Sequence, residues 1–257
     1  MPKYRVGVQL RPQHTTTASF VEAVKRVEDL GVDTIFTWDH FFPLFGDPEG
    51  THFEGWTLIT AMAMLTSRVE FGCLVTCNTY RNPQLLADMA RTIDHLSNGR
   101  LIFGIGAGWF ERDYREYGYE FGTAPDRLRA LSRSLPLITE RWSKLNPPPV
   151  RNPIPILIGG GGEKVTLKLT ARYASLWNGF GPAENYRHKS QVLDEWCREL
   201  GRDPAEIERT AMISMKELDN PQAMVEAGAT HLIVGLDDPW DYGAVERLVS
   251  WRERMRA

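Results

Sequence analysis

Four consecutive glycines, Gly159–Gly162, stand between an apolar run, Ile154–Ile158, and a helical pattern that opens at Glu163 and continues to Tyr173. A short apolar run bounded by prolines reads as a buried strand. Strand, glycine turn and helix start leave bare backbone N–H groups at the positive end of a helix, which is an anion site suited to a phosphate. Glycine fits because no Cβ blocks close approach and positive φ costs little there. A tight strand-to-helix turn without a ligand uses the same residue type, but four glycines in a row favour the anion site. A second group is Asp39-His40, just after another apolar run. A neutral imidazole there can donate or accept a proton near neutral pH. A structural histidine bonded to a loop fits equally well, and Asp39 reads equally as a cap or loop carboxylate. Gly106-Ala107-Gly108 brings backbone close either to a ligand or to a neighbouring strand. Gly104 to Trp109 is not a dinucleotide fingerprint, because its sixth position is Trp109 and the pattern predicts no helix directly after it.

These groups need elements to hold them. Apolar runs at 4–10, 33–38, 69–75, 100–105, 154–158, 175–178, 209–214 and 230–235 read as strands. Helical patterns lie between and after them, at 18–30, 56–65, 83–96, 125–142, 163–173, 182–200, 220–227 and 242–255. Eight such alternations over 257 residues predict an α/β fold, a single TIM (β/α)8 barrel domain over residues 1–257, with an open doubly wound sheet as the alternative. In such barrels the site forms at the C-terminal ends of the strands. Gln9, Arg11 and His14 follow strand one there; Asp39 and His40 follow strand two. Cys73, Thr76, Asn78 and Arg81 belong to strand three; Gly106, Gly108, Trp109 and Glu111 follow strand four. Trp177 and Asn178 lie on strand six, whereas Met215, Lys216, Asp237 and Asp238 are all that the last two strands offer. The aromatic residues from Trp109 to Phe121 either line a pocket or pack a long loop.

A formal net charge of -3 gives no electrostatic case for nucleic acid or an anionic membrane. No apolar run approaches a membrane span, and the start lacks a signal-peptide pattern. Cys73, Cys77 and Cys197 form neither a metal set nor a disulfide framework, which points to the cytoplasm. There is no nucleophile elbow and no paired-histidine metal motif. A phosphate anchor with few acid/base groups suits a bound organic cofactor better than hydrolysis.

Trp38-Asp39-His40-Phe41, Thr76 to Pro83, Gly104 to Glu111, and Ile158 to Lys164 together resemble the luciferase-like monooxygenase superfamily, and its F420-dependent branch in particular. Trp177-Asn178 also fits. The resemblance implies a bacterial-luciferase-like barrel carrying coenzyme F420, or alternatively FMN, at its C-terminal face. It implies that Gly160, Gly161 and Gly162 hold the cofactor phosphate and that Gly106, Ala107, Gly108 and Trp109 approach the cofactor. It places Thr76 near it, Cys73 and Leu74 behind the ring at a non-proline cis peptide, and His40 and Asp39 beside the reactive ring. The implied activity is hydride transfer between the deazaflavin and a small organic substrate, with His40 as proton donor or orienter. An FMN-dependent monooxygenase, a non-catalytic cofactor-binding barrel, and a barrel binding simple phosphate esters are the alternatives. Two departures argue against a sugar phosphate as substrate: Trp109 stands where the branch's sugar-phosphate dehydrogenases have a carboxylate, and Leu44 where they have tryptophan. The segment 142–154 is short for the family, leaving a more open mouth or one closed by a partner subunit; members often form homodimers.

Overall fold

A computed structural model of the protein describes residues 4–256, leaving the first three residues and the last outside it. Nine parallel strands form one sheet in the order β3-β2-β1-β9-β8-β7-β6-β5-β4, and an additional β3–β5 pairing closes it. They are β1 Arg5–Leu10, β2 Thr34–Thr37, β3 Glu70–Cys73, β4 Thr76–Cys77, β5 Leu101–Gly106, β6 Ile156–Gly159, β7 Leu176–Phe180, β8 Glu208–Ile213 and β9 His231–Leu236. β3 and β4 are the two halves of one interrupted strand, so the cylinder has the eight staves the alternation predicts. The open-sheet alternative is overturned by the β3–β5 register, in which Phe71 pairs with Leu101 and Gly72 with Ile102.

The period-two pattern of the strands separates two cores. Phe36, Leu74, Ile102, Leu157, Leu176 and Ile233 fill the barrel's interior. Val6, Val8, Phe71, Phe103, Ile105 and Ile158 point the other way and pack beneath the helices. Local chemistry sets the helix starts. Asn82 caps Pro83–Leu96, its side chain accepting from the amides of Gln84 and Leu85, with proline in the first turn. Thr123 and Asp126 form a capping box on Ala124–Lys144.

Three local expectations are corrected. The helix after the four glycines begins at Thr166 and not at Glu163. The stretch after Trp109 holds a short helix, Glu111–Tyr117, seated on a left-handed Gly118. The cis peptide is Leu74–Val75, one bond beyond the expected Cys73–Leu74.

The N-terminal face of the barrel is closed by charge. Arg5 bridges Glu70 and Glu208, Arg151 also reaches Glu70, and the His231 ring lies 3.2 Å from Glu208. Burial works against the Glu208 carboxylate, but contacts with His231 and Arg5 outweigh it and hold its pKa at about 2. A folded-state pKa below the ordinary 4.5 contributes stability above that value and loses it as pH falls toward 2. Glu208→Gln therefore lowers stability by about 1–3 kcal/mol at pH 6, and the gap to the unmodified protein closes between pH 4.5 and about 2. Thermal melts of both proteins across that range read the gap; a constant gap contradicts the charge arrangement. The waist of the barrel gives a second expectation. A methyl on Gly104 would overlap the Cys73 carbonyl oxygen, where strands pass with no room for a side chain. Gly104→Ala should cost about 3 kcal/mol and lower Tm by roughly 6–12 °C, and an unchanged Tm would contradict that close approach.

Candidate active site

A cavity of about 560 Å³ opens at the C-terminal ends of the strands. Leu74, Val75 and Met212 give it an apolar floor, and Gly106, Gly159 and Asn178 its far side. Gln9 fixes the floor: its side-chain amide donates to the Leu74 carbonyl at 2.7 Å, while the Leu74 amide donates to the Thr37 carbonyl. The interruption between β3 and β4 is thereby held from the adjacent β2 and from β1 beyond it.

His40 lines the cavity, and its position is set from behind. Its Nδ1 lies 2.7 Å from Oδ2 of Asp113, on the short helix Glu111–Tyr117. Asp113 is fully buried. It also accepts from the Tyr80 hydroxyl at 2.9 Å and from the Phe41 amide at 3.1 Å. Three converging donors are what a carboxylate needs away from water. With Nδ1–H given to Asp113, Nε2 is the ring atom left for chemistry. Trp38, Trp109 and Phe110 meet the imidazole edge to face, with centroids 5.7, 5.8 and 5.5 Å away. The nearby His52 accepts the Trp38 indole N–H, and burial, followed by the proximity of His40, lowers its pKa to about 4. His52 is thus a neutral acceptor at pH 7.

Asp39 also borders the cavity, but its oxygens are spent. They accept from both terminal nitrogens of Arg81, at 2.7 and 2.9 Å, and from the Cys77 amide at 3.0 Å. Burial pushes the carboxyl's pKa up against the pull of Arg81. Arg81 in turn binds Glu54, whose carboxylate caps Gly55–Leu65 through the amides of Trp56 and Thr57. Asp39 therefore ties β4 and that helix to the site through both of its oxygens. Thr76 lines the cavity while accepting the Trp56 indole N–H at 3.2 Å.

The glycines divide. Gly106 and Gly108 are both on the cavity wall, yet each has a reason within the protein. A methyl on Gly106 would press on Val75, and one on Gly108 would overlap the Tyr114 hydroxyl and the Cys77 sulfur; Gly108 also has φ +85°. Ala107 lies between them on the same wall. In the four-glycine loop, Gly159, Gly160 and the following Thr166 reach the cavity, whereas Gly161 and Gly162 continue outward. The Gly160 amide is taken by the Asn178 carbonyl, but the amides of Gly161 and Gly162 meet no acceptor among the described residues. Gly161 has only ordinary contacts around a would-be side chain, so packing does not demand glycine there. Unpaired amides at a helix mouth beside a cavity fit a phosphate-bearing cofactor.

Two assignments from the sequence are corrected. Trp177 does not reach the cavity; it is fully buried against Tyr186, outside the barrel wall, and its indole donates to the Gly160 carbonyl. It shapes the glycine loop from behind. Cys73 is buried among the outer core residues, so that Leu74 alone of that pair lines the site. The aromatic residues Tyr114, Tyr117, Tyr119 and Phe121 pack against Phe41, Tyr80 and one another. Only Trp109 of that segment's aromatic residues borders the cavity. His14 braces the 41–50 loop through the Phe45 carbonyl. Sequence reading missed Asp113, Tyr80 and Phe180. Asp113 was missed because the short helix that carries it, Glu111–Tyr117, was not expected. Phe180 was missed because β7 runs two residues past the expected end.

The sequence profile of the luciferase-like monooxygenase family matches residues 3–257. An F420-dependent glucose-6-phosphate dehydrogenase from Amycolatopsis mediterranei (strain U-32) is 31% identical over 189 residues, which cover 66% of this chain and 54% of that protein. The chain thus spans about half the length of that relative. A pyrimidine monooxygenase from Variovorax paradoxus (strain S110) is 25% identical over 92% of this chain and 66% of its own length. Among solved structures, an F420-dependent secondary alcohol dehydrogenase in complex with an F420-acetone adduct matches with a TM-score of 0.85 at 18% identity, covering 98% of each chain. A profile match along almost the whole chain, on a barrel whose third strand is interrupted at its cavity, makes this protein a member of the luciferase-like monooxygenase family.

Proposed function

We propose that the protein is an F420-dependent oxidoreductase that moves a hydride between the deazaflavin and a small organic substrate. The observation that carries this reading is the His40–Asp113 pair beside a cavity that the glycine loop reaches through Gly159 and Gly160, next to the unpaired amides of Gly161 and Gly162. The 31% identity to an F420-dependent dehydrogenase supports the choice of cofactor.

When bound, coenzyme F420 accepts or supplies a hydride at one ring carbon. The amides of Gly161 and Gly162 would hold its phosphate, with Gly160 giving the loop room beside the cavity and Gly106, Ala107 and Gly108 offering backbone along the wall. Leu74 and Val75 would form an apolar backing for the ring, and Thr76 and Asn178 would contribute polar contacts at its edge. His40 handles the proton: Nε2 gives it to a carbonyl oxygen being reduced or takes it from an alcohol being oxidised. Asp113 stabilises the imidazolium in either direction and keeps Nε2 turned to the cavity. Asp39 and Arg81 act on position only. The aromatic side chains around His40 exclude water from the transfer.

Absorbance titration of the purified protein with F420 and with FMN tests the cofactor assignment. Saturable F420 binding at least ten-fold tighter than FMN is expected, and preferential FMN binding would point instead to flavin-dependent oxygenation. His40→Ala should lower kcat about 10²–10⁴-fold, the usual worth of a general acid or base, with F420 affinity changed less than about three-fold. Asp113→Asn should lower kcat at least about ten-fold and displace its pH profile, with KM less affected. Normal turnover by either variant would remove the pair from the reaction.

A further inference from the structure

We infer that the substrate of this cavity is an uncharged, mainly apolar ketone or secondary alcohol, and not a sugar phosphate or a carboxylate. The inference rests on the F420 reading above and names the substrate class for that same site. Two observations carry it. The first is the mouth. Phe45, Trp109 and Phe180 border the cavity, one from each of three separate strand-end segments, yet remain 56%, 63% and 56% exposed. Leu44 and Met212 extend the same surface inward. Large apolar side chains gathered at a cavity rim mark a surface that a ligand covers.

The second is the charge inventory. Among the cavity's described lining residues the acidic and basic side chains are Arg11, Asp39 and His40. Each is matched within the protein, to Asp237, Arg81 and Asp113 respectively. The Gln9 amide is spent on the Leu74 carbonyl, and the Asn178 side-chain oxygen accepts from Thr210. A substrate phosphate or carboxylate seated here must break one of these pairs or be buried unpaired, both of which are costly. What remains is small. Arg11 has its Nε without a partner, and His40 keeps Nε2. The Arg11 Nε–H, and an imidazole Nε2 that donates when the ring is protonated and accepts when it is neutral, suit one carbonyl or hydroxyl group on an otherwise apolar body. The reaction on it balances simply. A hydride from reduced F420 adds two electrons to the carbonyl carbon, the C=O π pair moves to oxygen, and a proton from His40 completes the alcohol. Oxidation reverses each step.

The test uses the F420-loaded enzyme, with loading first defined by absorbance titration. Isothermal titration compares 2-heptanone with 6-oxoheptanoate, the same methyl ketone with its chain ended by a carboxylate. Oxidation of reduced F420 gives kcat/KM for both ketones, and reduction of oxidised F420 gives it for glucose 6-phosphate. The expected result is at least ten-fold tighter binding and ten-fold higher kcat/KM for 2-heptanone. Phe180→Ser should weaken the ketone about three- to ten-fold, as loss of one apolar contact surface does, with F420 affinity within two-fold. Equal or better binding of the carboxylate or the sugar phosphate overturns the inference, as does a loaded enzyme that binds no ketone. A protein that takes up no F420 fails earlier and overturns the cofactor reading itself.

Discussion

A buried carboxylate is the feature on which the site depends. Asp113 has no access to water, and an unsatisfied charge there would be expensive. The chain meets it with an imidazole and a backbone amide from the loop after β2 and a phenol from the segment after β4. Those bonds do two things at once. They make the interior of the strand-end region tolerable for a negative group, and they join three segments far apart in sequence at one point. The ring of His40 is consequently held in one orientation before any ligand arrives, which is the condition for efficient proton transfer.

The neighbouring carboxylate shows how position decides role. Asp39 adjoins His40 in the chain and Asp113 lies 73 residues from it, but the distant residue is the one that bonds the imidazole. Asp39 faces a guanidinium and an amide, and so becomes a rivet between β4, Arg81 and the helix capped by Glu54. Opposite this polar framework, the interior layer of Phe36, Leu74, Ile102 and Leu157 gives the cavity a dry base. A reacting pair above that base has few competing polar partners, which strengthens those that remain.

Much of this was readable in the chain. The barrel followed from strand–helix alternation, because each strand's apolar run and each helix's stripe are local signals. His40, Thr76, Gly106, Gly160 and Asn178 were found because strand ends can be located from those runs. What escaped depends on contacts between segments. Nothing local distinguishes the two oxygens of Asp39 from those of Asp113 until Arg81 and His40 are set beside them. Trp177 looked like a site residue because it precedes Asn178; strand alternation turns one inward and its neighbour outward, and only the register with β6 says which. The start of the helix after the glycines slipped by three residues because Glu163 to Val165 have helical composition but form a turn.

The most direct measurement of the central claim is the long-range proton–nitrogen NMR correlation of His40, with and without F420. The hydrogen-bond geometry predicts a proton on Nδ1 in both states, and an Nε2 resonance that shifts when the cofactor binds. A proton resident on Nε2 with Nδ1 bare, or an His40 spectrum indifferent to bound F420, would contradict it.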